Sequence, residues 1–170
     1  MEVEFEIITG PNIKKLDNGA VIHRFSHVVK GAQIGSNAMV GSFCYVAKTA
    51  KIGDNTRVQN HVNIYDGVEL GTSVFVGPHT VFTNHHNPQD RFERLVTNGE
   101  FIPDKIIVGD NATICANVTI IAPSKIGEGA RIGAGSVVLK DIAAKEQKNG
   151  LIKNRGPAEQ KRKPGRPKKK

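Results

Sequence analysis

Tryptophan is absent from this 170-residue chain, aromatic residues make up 5% of it, and hydrophobic residues reach 38%. A core of that composition cannot rest on large rings, so small aliphatic side chains must fill it. There are two cysteines, Cys44 and Cys115, and no C-x-x-C pair. That excludes a disulfide framework and a zinc knuckle and suits a reducing compartment. No apolar run approaches the roughly 20 residues of a membrane span. The stretch MEVEFEIITG carries acids where a secretory signal carries basic residues, so the expected location is cytoplasmic. Acids are also missing from residues 161–170, KRKPGRPKKK, which hold seven Lys or Arg; of the formal charge of +8 this leaves +1 for residues 1–160. The basicity belongs to a tail, and the body is nearly neutral.

What is present is a period. An aliphatic residue or Phe recurs every sixth position through Leu16, Ile22, Val28, Ile34, Val40, Val46, Ile52, Val58, Ile64, Leu70, Val76 and Phe82. The period resumes at Val108, Ile114, Ile120, Ile126, Ile132 and Val138. Four residues after each anchor the residue is mostly small or β-branched, as at Ala20, Ser26, Ala32, Cys44, Thr56, Val68, Ala112 and Ser136. Two inward positions in six suit a short strand plus a corner, whereas a helix repeats at three and four. The corners often read Gly and then, two residues on, Asn, Ser or Gly, as in Asn37, Asn55, Ser73, Asn111 and Gly129. Those types best tolerate positive φ. Three such sides per coil stack positions 18 apart, so the pattern predicts a parallel β-helix of six coils with three aliphatic columns.

Residues 83–107, TNHHNPQDRFERLVTNGEFIPDKII, fall out of phase. A long polar excursion from a regular scaffold is usually functional; the plain alternative is an insertion covering a flank or a subunit contact. Stacking by 18 also places Phe25, Phe43, His61 and His79 on successive coils, an aromatic ladder expected to point toward the loop's origin. It suits ring stacking at a subunit contact, and the two histidines can equally face a substrate cleft.

The string Val58–Pro88, VQNHVNIYDGVELGTSVFVGPHTVFTNHHNP, resembles the hexapeptide-repeat sugar-nucleotide N-acetyltransferases that acetylate a 3-amino or 4-amino group on a nucleotide-linked deoxysugar. The resemblance spans roughly residues 28–142. It implies an all-β, left-handed β-helix that assembles as a homotrimer, with acetyl-CoA as co-substrate and no metal. It places the residue that meets the acceptor amine on Asn84. Asn60, His61, Tyr65, His79 and Arg91 become substrate-binding candidates, Arg91 because Gln89 stands where the family's Asn-Pro-Arg has its Arg. Cys115–Ile142 resembles the coils that hold coenzyme A, giving Ala116 and Ala134 beside the pantetheine arm and Lys140 and Lys153 as phosphate partners. A sugar amine titrates near neutrality, so a strong base is optional; His85 or His86 can instead take the proton.

Two other readings compete. A hydroxyl acceptor, as in the maltose and serine O-acetyltransferases of the superfamily, demands a histidine base. A zinc site would need converging imidazoles, and the spacings among His61, His79, His85 and His86 do not supply the pair five apart that such sites resemble. The tail resembles an AT-hook with Pro164 in place of an Arg, which allows a weak nucleic-acid or anionic-surface contact by an otherwise solvated segment. The expected organisation is a β-helix domain at 1–142, a linker at 143–160 with a short helix near Ala143–Gln147, and a disordered basic tail at 161–170.

Overall fold

The computed structural model describes residues 6–85 and 102–152. Their 21 strands are two or three residues long and form three sheets, the faces of a β-solenoid; among the described residues there is no helix. The chain passes from the third face (Val21–Ile22) to the first (His27–Val28) and the second (Gln33–Ile34), then back to the third at Met39–Val40. Parallel partners lie 18 residues apart, as in Tyr45 with Asn63 and Val46 with Ile64. Across the excursion they lie 38 apart, as in Val81 with Thr119 and Phe82 with Ile120, so the excursion adds 20 residues and restores the register. Every periodic anchor from Ile22 to Phe82 and from Val108 to Val138 is buried, and so is the small residue four positions after each one that has a successor in phase. Phe82 is the one aromatic ring in the core among the described residues. Burial also pushes the Cys44 thiol up from its ordinary value.

The corners explain the remaining pattern. Asn37, Asn55, Ser73, Asn111 and Gly129 all have φ between 55° and 64°, as their types led one to expect. The glycine opening such a corner answers a second constraint. A Cβ on Gly35 would lie 2.5 Å from the backbone nitrogen of Asp54 and from the carbonyl carbon of Gly53 on the next coil. Asp54 then latches the coils, its Oδ1 accepting from the Ser36 amide at 2.7 Å. Gly35→Ala is expected to lower stability by about 1–3 kcal/mol through overpacking against backbone, while Ser36→Ala, on an exposed side chain, stays within about 0.5 kcal/mol. Urea unfolding midpoints check the pair.

Both ends depart from the period. Leu16, expected as the first anchor of a parallel coil, instead follows Lys14–Lys15, which runs antiparallel to Val21–Ile22. Ile7–Ile8 likewise pairs antiparallel with His27–Val28, and Ile7 and Leu16 pack half-buried on the core. At the other end the expected helix near Ala143–Gln147 is a corner and a strand. Lys145 has φ 59°, and Gln147–Lys148 pairs in parallel with Arg131–Ile132, 16 residues back. Leu151–Ile152 follows Val137–Val138 at 14. The strands thus continue past residue 142, in a coil shortened by loss of corner residues, which hides it from a six-residue count.

Candidate functional site

The described candidate residues lie on the two corners that bound the first face. Asn60, His61, His79, Ala116 and Ala134 occupy the corner before it; Tyr65, Asn84, His85 and Lys140 occupy the corner after it. His86, Arg91 and Lys153 fall outside the described residues. Backbone bonds stack the first corner coil on coil: His61 N to Ser42 O at 2.9 Å, His79 N to Asn60 O at 3.2 Å, and Gly135 N to Ala116 O at 2.9 Å. The aromatic ladder therefore stands across the first face from the loop's origin, not at it. Strand Val81–Phe82 separates His79 from Asn84.

The ladder itself is a continuous stack. Ring centroids are 5.1 Å apart for Phe25 and Phe43, 5.0 Å for Phe43 and His61, and 4.7 Å for His61 and His79. All four residues have φ of 57° or 58°, at corners where Asn or Gly is the easy choice. The left-handed conformation costs a non-glycine residue about 1–2 kcal/mol, and each stacked pair contributes about 0.5–1.5 kcal/mol. Three stacked pairs do not offset four such corners, so the rings are not explained by the stability of the isolated chain. Beyond His79 the column drops to Asn117 and Gly135, with open space where a Gly135 side chain would stand. Ala116 and Ala134 precede those two corner residues, so small side chains continue the column there.

Asn60 serves the scaffold, its Oδ1 accepting from the Ser42 amide at 2.9 Å. Tyr65 is 36% exposed and lies 6.0 Å, ring to ring, from Tyr45. The Tyr45 phenol is pushed up by burial and then by the Asp66 carboxylate, and stays protonated.

At the second corner the excursion leaves and returns through a neck. Asp104 donates its amide to the Asn84 carbonyl at 2.9 Å. The Asp104 carboxylate Oδ2 stands 2.9 Å from His85 Nδ1, with the two side chains 26% and 12% exposed. Thr83 anchors the departing strand, its hydroxyl accepting from the Ala122 amide at 2.8 Å. Asp104 is the residue that sequence reasoning missed. It lies 19 positions from its partner inside the out-of-phase segment, where no repeat predicts a contact.

A family model described as bacterial transferase hexapeptide (six repeats) matches residues 49–84 and 105–140. A second, the hexapeptide repeat of succinyl-transferase, matches residues 31–66. The first model's two blocks stop and restart at the neck that the structure shows. The chain belongs to the hexapeptide-repeat transferase family. Among curated relatives, the bifunctional protein GlmU of Bartonella quintana is 29% identical over 161 residues, 83% of this chain and 33% of its own length. The chain spans a third or less of the first such relatives it matches. A hexapeptide-repeat acetyltransferase of Vibrio cholerae, solved with acetyl coenzyme A, is 30% identical, with TM-score 0.59 over 71% of this chain and 66% of that one. PerB of Caulobacter crescentus, solved with coenzyme A and GDP-perosamine, shares the fold at 19% identity, with TM-score 0.64 over 77% of this chain and 54% of that one.

The faces offer strands of two or three residues with few polar groups, and the neck adds titratable side chains to them. Among the described residues no three His, Cys, Asp or Glu side chains gather as metal ligands would. The titratable pair at the neck is His85 with Asp104.

Proposed function

We propose that this protein transfers the acetyl group of acetyl-coenzyme A to the amine of a nucleotide-linked 3-amino or 4-amino deoxysugar, UDP- or dTDP-linked, for glycan biosynthesis. The carrying observation is the gathering of the described motif residues on the two corners of one face, with Asn84 and His85 at one corner and the small-residue shelf of Ala116, Ala134 and Gly135 at the other. The shelf accepts the pantetheine arm, and Lys140 and Lys153 are its phosphate partners. Asn84 orients the amine, and backbone amides stabilise the oxyanion of the tetrahedral intermediate. The bound ligands of the Vibrio and Caulobacter relatives support both substrates.

The active form is a homotrimer with the site between subunits. Phe25 and Phe43, each 52% exposed, and Val81, 47% exposed, supply apolar surface beside the first face for that contact.

Coenzyme A release is measured with a panel of amino-sugar nucleotides, with simple sugars and serine as controls. Turnover confined to one amino sugar is the expected result; none with any amine overturns the reading. Asn84→Ala should lower kcat about 100-fold by loss of orientation, with an unchanged thermal midpoint. A second reading, O-acetylation, is favoured by one observation, the carboxylate at His85 that a hydroxyl acceptor's base would use. Turnover of a simple sugar or serine in the same panel selects it.

A further inference from the structure

The charges of the solenoid are sorted by face. The strands of the first face contain no Lys, Arg, Asp or Glu. Those of the second carry Lys51 and Lys125 with Glu69, which binds Lys51 at 3.4 Å and Lys105 at 3.5 Å. The strands of the third face carry Lys14, Lys15, Arg57, Arg131 and Lys148 and no acid. Glu146 takes Lys148; among the described residues no carboxylate pairs with the other four. The near-neutral total of residues 1–160 therefore hides one basic face.

Register turns these cations into a track. Cα partners run Met39 with Arg57, Arg57 with Phe75, Phe75 with Thr113 and Thr113 with Arg131, so the outward side chains stand in one column along the solenoid axis. Three strand spacings separate Arg57 from Arg131, about 14 Å. Both arginines are exposed, and Phe75 between them keeps 38% of its surface in water. Thr113 fills the same place one coil on, so the repeat does not call for a ring there.

The borders of the face select the shape of the anion. The turns and corners entering it carry Asp17, Asp54, Asp110 and Glu128 against Lys145, whereas the corners leaving it hold no acid and add Arg24. A flat anionic surface such as a bilayer would meet the acidic border together with the cations and be repelled along that edge. A narrow polyanion can lie on the column and clear it. Guanidinium groups for phosphate oxygens and an exposed aromatic ring for a base are the parts that hold single-stranded nucleic acid. Residues 161–170 add seven Lys or Arg to the same chain, and that charge favours the same kind of partner.

We propose that the third face is a track for single-stranded nucleic acid, with Lys15, Arg57 and Arg131 on phosphates and Phe75 against a base. This goes beyond the acyl-transfer reading and does not depend on it.

The full chain is titrated into a fluorescein-labelled oligo(dT) of about 20 nucleotides, and anisotropy is followed between about 50 and 200 mM salt. Each phosphate contact with a single strand adds about 0.7 to the slope of log affinity against log salt, so Arg57→Gln with Arg131→Gln should reduce that slope by about 1.4. Phe75→Leu should weaken binding about 5-fold to 100-fold with the slope unmoved, and Phe75→Tyr, which keeps a ring, should bind as the unmodified chain does. Lys51→Gln with Lys125→Gln takes the same charge from the second face and should leave affinity within about twofold, because salt screens charges that do not touch the strand. Thermal midpoints of the variants, expected unchanged, separate lost binding from lost folding. Affinity and slope that survive both changes to the third face belong to the tail alone and overturn the proposal. A duplex of the same length held as tightly as the single strand overturns it too, as does capture by phosphatidylserine vesicles without affinity for the oligonucleotide.

Discussion

Replacing His85 by Gln is expected to lower kcat for acetyl transfer by about 100-fold to 10,000-fold, the range of a lost general base, with the far-ultraviolet spectrum and thermal midpoint preserved. The argument starts from placement. His85 follows the last two-residue strand before the excursion, Val81–Phe82, so its backbone is set by the coil while its side chain projects at the neck. Its ring is largely buried beside a carboxylate, the arrangement by which a base is held in one orientation. His85 and Asp104 pair across the neck, so if they serve one step, the double variant His85→Gln with Asp104→Asn should fall no further than His85→Gln alone. Full additivity, with each loss multiplying the other, would mean that the two residues serve different steps. A drop of less than about threefold in His85→Gln would remove proton transfer by this ring from the mechanism and leave Asn84 to orient an amine that is already neutral.

The second large effect lies two residues before the site. Phe82→Ala should destabilise the protein by about 3–5 kcal/mol, the range for an aromatic truncation in a packed core, and lower Tm by about 10 °C. Phe82 is fully buried and, among the described residues, is the one ring in columns of Ile, Val and Leu. It pairs with Ile120 across the register jump that the excursion imposes, so the cavity would open where two coils meet over the longest sequence separation. Each coil is held only by its neighbours, and this boundary carries Asn84 and His85. Turnover should fall with stability, unlike His85→Gln, and Phe82→Leu, which refills most of the space, should recover both. Calorimetry and coenzyme A release on the same samples check this.

The repeat was legible because it is redundant: Ile52 alone says little, but eleven aliphatic or Phe positions in one phase and six in a second, all buried in the structure, admit few other folds. The positive φ of Asn37, Asn55, Ser73, Asn111 and Gly129 was legible for the same reason, since each residue type matches its backbone. Phe25, Phe43, His61 and His79 share that conformation, but nothing in a phenylalanine announces it; only the 18-residue stacking does. Leu16 misled because antiparallel and parallel partners bury the same kind of side chain, and a period cannot report strand direction. The shortened coil at Lys145–Ile152 failed the six-residue count that found the others. Within the candidate site, Asn84 stood out through an ordered motif and His85 as an alternative base beside it, whereas Asp104 could be found only by closing the loop in space.

The antiparallel strands at the start of the molecule bear on how copies meet. In a parallel solenoid the first coil exposes a row of unpaired amides and carbonyls on each side, and such edges invite another chain to add on. Here Ile7–Ile8 and Lys14–Lys15 pair with those edges on two sides. On the third, the Asn18 side-chain amide donates to the Ile34 carbonyl at 2.9 Å. Reversed strands cannot serve as the floor for one more coil of the same register, so end-to-end growth into a fibre is blocked there by polarity.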